Sequence, residues 1–212
     1  MDYKSINLTD IPVHYINLKK DIEKNTKIVD NLNQLGFKNI TRHEGIPHEK
    51  PYVGCSRSHH MVLSKLKPPF ILFEDDIVIN NFSTIIKIPI NADAVYLGNS
   101  SWGRKNSCSG PFLEYEKIDE QLYRIFNMLS AHAVLYLSQC YKAICEKISY
   151  NFGYVYMNYQ DIGFAEIQKY YNVYCFNESI FFQSSNLPAT NKKLVEYDII
   201  DSQHKKFYLP YE

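Results

Sequence analysis

The stretch Phe70-Ile-Leu-Phe-Glu-Asp-Asp-Ile-Val-Ile79 decides the reading of this chain. Four consecutive apolar residues after Pro68-Pro69 predict a strand buried on both faces, the pattern of a parallel sheet covered by helices. Three acids, Glu74, Asp75 and Asp76, interrupt it, and apolar Ile77-Val78-Ile79 resumes at once. Keeping three negative charges beside a buried strand is costly without a compensating cation. Glu74 and Asp76 are two residues apart and project to the same side of an extended chain. Hard oxygen donors of this kind suit Mg²⁺ or Mn²⁺. A plain strand end with solvated acids competes with that reading.

Working outward, Val13–Asn17 reads as a strand followed by a helix from about Asp21 to Leu35, closed by Gly36. Ile40–His43 reads as a second strand, then a turn-rich loop leads to a helix over Ser58–Leu66. Asp93–Gly98 repeats the buried strand ending in a glycine loop, and Glu114–Lys117 with Leu122–Phe126 forms a hairpin. Ala131–Leu137 is a strand, with Ser138 capping a helix through Ile148. Asp161–Tyr170 reads as helix and Val173–Phe176 as strand. The alternation predicts an α/β fold with a central mixed, mostly parallel sheet flanked by helices, in which ligands bind outside the carboxyl ends of the strands.

The chain has 212 residues, 45% hydrophobic and 22% charged, within the size of one domain that buries its own core. Lys plus Arg and Asp plus Glu are both 23, so no global field attracts a polyanion, and no nucleic-acid partner is expected. Five cysteines without CxxC spacing predict free thiols rather than a disulfide framework, hence a reducing compartment. With no run long enough for a membrane span and no signal peptide at the N-terminus, the expectation is a cytoplasmic monomer. The absence of HExxH and GxSxG speaks against hydrolase chemistry, and the absence of GxxxxGK[ST] against a P-loop phosphotransferase.

The order Tyr15-Ile16-Asn17-Leu18, Arg42, Gly54-Cys55-Ser56-Arg57-Ser58-His59 and Glu74-Asp75-Asp76 resembles the lipopolysaccharide-type and procollagen-galactosyltransferase-type glycosyltransferases. Ala131–Ser138 is similar to that family's strand ending in serine, and Asn158-Tyr159-Gln160-Asp161 to its later aspartate segment. The Asn-, Ile-, Tyr- and Lys-rich composition has a viral character, and the chain is most similar to N-terminal glycosyltransferase domains of chlorella-virus proteins that build capsid glycans, a resemblance that would put it in host-cell cytoplasm. The abrupt end at Tyr211-Glu212 then reads as one domain, residues 1–212, of a longer polypeptide.

The resemblance implies a GT-A fold, a UDP-sugar donor, a glycan or glycoprotein acceptor, and Mn²⁺ or Mg²⁺ bridging the diphosphate. Ile16, Asn17 and Leu18 would hold the nucleotide at the end of the first strand. Arg42 and Arg57 would contact phosphate or ribose, since a guanidinium matches phosphate geometry. Asp76 is the first choice as metal ligand, with Asp75 or Glu74 as a second contact to metal or ribose. Ser58 and His59 take a packing or donor-positioning role, since His59 and its neighbour His60 point about 100° apart on a helix and do not share a metal. Asp161 is either a helix cap or the general base that deprotonates the acceptor hydroxyl. His204 is either a solvated histidine or a third metal ligand. The loop Gly98–Gly110 is a candidate donor flap, with Trp102 either stacking on a sugar or anchoring the loop. The transferred sugar would be glucose, galactose or rhamnose, and the family is inverting. A non-catalytic nucleotide-sugar or glycan-binding module of the same fold is the alternative.

Overall fold

A computed structural model of the chain describes residues 2–183 and Thr190–Asn191. Its centre is an eight-stranded sheet. In chain order the strands are β1 (Val13–Asn17), β2 (Ile40–Glu44), β3 (Phe70–Glu74), β4 (Ala94–Tyr96), β5 (Tyr115–Lys117), β6 (Leu122–Ile125), β7 (Ala133–Tyr136) and β8 (Val173–Phe176). Across the sheet they run β5-β6-β8-β4-β7-β3-β1-β2. The pairs β1–β2, β1–β3 and β8–β4 are parallel, while β6 and β7 oppose both their neighbours. Six strands therefore share one direction, and the mixed sheet flanked by helices expected from the sequence is observed, with four of its seven neighbouring pairs antiparallel.

Helix α1 (Ile22–Gln34) covers one face, burying Ile28 and Leu32 against Val13, Tyr15, Ile71 and Phe73. Helices α2 (Pro51–Leu63), α3 (Gln139–Tyr150) and α4 (Gln160–Ile167) cover the other. There Val62, Leu63, Tyr141, Cys145 and Phe164 pack on Phe70, Leu72, Tyr96, Val134 and Tyr136. Alternate residues of β3 thus feed two separate cores, which is why its sequence is apolar throughout rather than alternating. Ser138 caps α3, its hydroxyl accepting from the Tyr141 amide at 3.1 Å. A π-helical turn, Asn151–Val155, prolongs α3 toward α4.

Three expectations need correction. Helix α2 begins at Pro51, not Ser58. The sequence signals of a turn, Pro51 and Gly54, here serve the helix: proline is pre-organised at its first position. Gly54 packs so closely that a Cβ would stand 2.5 Å from the Ile46 carbonyl. The same helix ends at Leu63, not Leu66, and a strand at Tyr3–Asn7 pairs antiparallel with Ile85–Pro89. The segment Gly98–Gly110 is no free flap. Asn99, Ser100 and Ser101 are buried, and Gly103–Lys105 and Cys108–Gly110 pair as a hairpin. Trp102 packs on Leu129, Ile162 and Ala165, which is the anchoring role.

His132, buried just before β7, lies over Gly98 so closely that a Cβ there would fall 1.9 Å from its Nε2. Gly98→Ala should accordingly destabilise the fold by about 1–3 kcal/mol or more, lowering Tm by roughly 5 °C. A thermal melt with Tm unchanged would show that His132 yields without cost.

Candidate active site at the carboxyl ends of the central strands

β3 ends at Glu74, and the turn Asp75-Asp76 that follows it sends the three carboxylates in different directions. Glu74 turns toward α2. Its Oε1 accepts from His59 Nε2 at 3.1 Å and from the Cys55 thiol at 3.4 Å. Asp75 turns toward α1, where its Oδ2 accepts from Asn17 Nδ2 at 2.7 Å and its Oδ1 meets Lys24 Nζ at 3.3 Å. Asp76 returns to the side of Glu74: Gln183 Nε2 lies 3.2 Å from Glu74 Oε2 and 3.4 Å from Asp76 Oδ1. The acids therefore split into a Glu74/Asp76 pair and a separate Asp75.

The split sets the charges. Burial alone would raise Glu74, but the hydrogen bond from His59, the fields of His59 and His132 and the Cys55 thiol bring it below its ordinary value. Asp76 is pushed up to about 6 by burial and by the charge of Glu74, with Lys24 and Gln183 compensating only in part. Burial and Glu74 also keep the Cys55 thiol well above its usual range, so it acts as a donor.

Asp161 stands in the first turn of α4, behind a helix start at Tyr159 that carries no side-chain cap. Burial and the charge of Glu74 raise it to about 6, partly offset by the backbone amides of Ile162 and of Asp161 itself and by His59. It is not the capping residue that its sequence position suggests. A buried hydroxyl fixes this region: Ser56 Oγ accepts from the Gln160 amide at 3.1 Å and lies 2.6 Å from Gln160 Oε1, while Gln160 Nε2 donates to Cys55 Sγ at 3.3 Å.

On the other side of Glu74, Arg42 Nε donates to Asn17 Oδ1 at 2.9 Å and its Nη2 reaches the Asn17 carbonyl at 3.3 Å. Asn17, Arg42 and Asp75 thus form one connected cluster across the ends of β1, β2 and β3. Ile16 is the register partner of Glu74, and Leu18 packs beside Gly45. Arg57 lies elsewhere, donating from Nε to the Gly153 carbonyl at 2.8 Å with its guanidinium over the Tyr154 ring. Ser58 braces the loop before α2, accepting from the Ile46 amide at 2.8 Å and donating to the Gly54 carbonyl at 2.7 Å. His204 falls outside the described residues.

Cys55, His59 and Glu74 bring three ligand-type atoms within 4.8 Å of one another, a group able to hold a metal ion. The helical i, i+4 spacing of Cys55 and His59 was the available sequence signal for it. The Glu74/Asp76 pair fits a hard divalent cation better, because its donors are carboxylate oxygens and the charge of Asp76 is only partly compensated. No helix among the described residues is long and apolar enough to cross a membrane.

Neither a protein-family model nor a curated protein matches the chain. Among solved structures it is similar to a nucleoside-diphosphate-sugar pyrophosphorylase from Vibrio cholerae RC9, at 11% identity and a TM-score of 0.44, over 79% of this chain and 73% of that one. A likeness at that level says nothing about activity, so the chemistry rests on the site itself.

Asp76 and Asp161 are both raised above the ordinary carboxylate value of 3.8. Raised acids favour the neutral form in the folded state, so their contribution to stability is fully present below that value and is lost as pH rises through about 6. A cation held by Asp76 reverses the loss. Mn²⁺ should therefore raise Tm by several degrees near pH ~7.5 and much less near pH ~5, and Asp76→Asn should abolish the shift. An equal shift at both pH values would count against Asp76 as a ligand.

Proposed function

We propose that the chain is a metal-dependent glycosyltransferase of GT-A type that moves a glucose, galactose or rhamnose unit from UDP to a glycan hydroxyl, with inversion. The observation that carries this reading is the pairing of Asp161, raised to about 6, with the Glu74/Asp76 acids at the ligand end of the sheet. A carboxyl group with that value is ionised at neutral pH and still basic enough to accept a proton in the transition state. The motif resemblance adds the donor class and extends the reading to glycan synthesis of the viral capsid type.

In this mechanism Asp161 takes the proton of the acceptor hydroxyl as its oxygen attacks the anomeric carbon. The bond from that carbon to the diphosphate oxygen breaks, and UDP leaves with the electron pair. A divalent cation on Glu74 and Asp76 would supply charge neutralisation for the leaving diphosphate. His59 and Cys55 hold Glu74 ionised and fixed in orientation. Asn17, locked between Arg42 and Asp75, offers a rigid polar edge for the nucleotide.

The test is release of UDP from UDP-glucose, UDP-galactose and UDP-rhamnose with Mn²⁺, with and without glycan acceptors. Asp161→Asn should bind UDP–Mn²⁺ normally and lose about 10²–10⁴-fold in transfer. Binding of donor without turnover by the wild type, under any acceptor, would leave the non-catalytic binding module in its place.

The acidic limb of the transfer rate gives a second check. For the wild type, the rate should fall as pH drops through about 6, the value of Asp161. With Mn²⁺ saturating throughout, the residual activity of Asp161→Asn should lack that limb.

A further inference from the structure

Helix α2 carries Tyr52, Cys55 and His59 along one stripe, at i, i+3 and i+7. Cys55 and His59 reach Glu74, so Tyr52 stands one turn further out, at the mouth of the site. Its ring is stacked on that of Tyr159, with centroids 4.4 Å apart and planes inclined by 24°. Tyr159 is two residues from Asp161 and keeps 41% of its surface exposed. Tyr156, three residues before it, is 63% exposed.

The stack is fixed from beneath by the same buried hydroxyl that fixes the α4 start. Ser56 Oγ lies 3.0 Å from the Tyr52 carbonyl and 2.8 Å from the Asn158 carbonyl, and accepts from the Gln160 amide. The first turn of α2, the start of α4 and the position of Asp161 are thereby tied through one atom.

We infer that the Tyr52–Tyr159 stack is the acceptor subsite and takes the face of a sugar ring. This rests on the glycosyltransferase reading and deepens it. A pyranose presents an apolar C–H face edged by hydroxyls, and a tyrosine presents a flat apolar ring with one hydroxyl at its tip. Exposed aromatic rings held rigid beside a general base match that chemistry. The polar cluster of Asn17, Arg42 and Asp75 lies on the α1 side of β3, which separates the nucleotide end from the tyrosine end. Arg57, on the same helix as Tyr52, is already engaged by the Gly153 carbonyl and the Tyr154 ring, so the surface is aromatic in character rather than phosphate-binding.

The experiment uses the full chain and two separate readouts. UDP–Mn²⁺ binding is measured by calorimetry. Binding of gluco-, galacto- and rhamno-trisaccharides is followed by saturation-transfer NMR and by the dependence of transfer on acceptor concentration. Tyr52→Ala and Tyr159→Ala should bind UDP–Mn²⁺ like the wild type while their acceptor KM rises about 3- to 10-fold, the range of one aromatic contact. Tyr52→Phe and Tyr159→Phe, which keep the ring, should stay close to wild type and control for folding. Failure of the wild type to bind UDP–Mn²⁺ would remove the glycosyltransferase reading itself. Normal UDP–Mn²⁺ binding with an unchanged acceptor KM in both alanine variants would remove the subsite alone. So would Phe variants as weak as the Ala variants, or a concentration-dependent dimer that Tyr52→Ala abolishes.

Discussion

A carboxylate at the end of a central strand must be met by donors, and the molecule is organised around meeting Glu74. Its two oxygens take a histidine and a thiol from α2 and an amide from the Phe181–Gln183 strand. The helix is held against the ligand end of the sheet by those contacts, and α4 follows because Gln160 binds Cys55 and Ser56. With Glu74 committed to α2, the turn after β3 carries Asp75 to the other side, where Asn17 and Lys24 receive it. One residue step past the strand end thus divides the carboxyl end of the sheet into two chemical environments.

The two environments have opposite electrostatic balance. Around Asp75 a lysine is present and an arginine stands one residue away through Asn17. Around Asp76 and Asp161 the dominant near charge is Glu74, itself negative, and both acids are lifted as a result. Acids that are uncomfortable as anions in the empty fold are well matched to a cationic or proton-donating guest.

Much of this was legible in the sequence, because strong local signals carried it. The run Phe70–Phe73 could only be a doubly buried strand, and Ser138 sits where a cap must be. The acids after β3 pointed to the carboxyl end of the sheet, where the structure gathers Glu74, Asp76, His59 and Cys55. What the sequence hid was of two kinds. The start of α2 was masked because Pro51 and Gly54 are turn residues that here serve a helix terminus and a tight contact. The glutamines Gln160 and Gln183 carry no signature at all, since an amide becomes informative only when its partner is known. Their partners lie more than a hundred residues away along the chain. Arg57 shows the converse: a residue type suited to phosphate is turned to a carbonyl and an aromatic ring by its place on α2.

Those separations have a kinetic meaning. The contacts of Ser56 with Gln160 and of Glu74 with Gln183 join segments 104 and 109 residues apart. Contacts of such span follow the closure of large loops, and they are slow to form in proportion. The site cannot exist as a local substructure that precedes the rest of the molecule; it closes when Phe181–Gln183 zips onto Ile77–Ile79. A molecule bound between the Glu74/Asp76 acids and Asp161 would draw the two halves of the chain together, and its grip would slow unfolding as well as shift the balance toward the folded state.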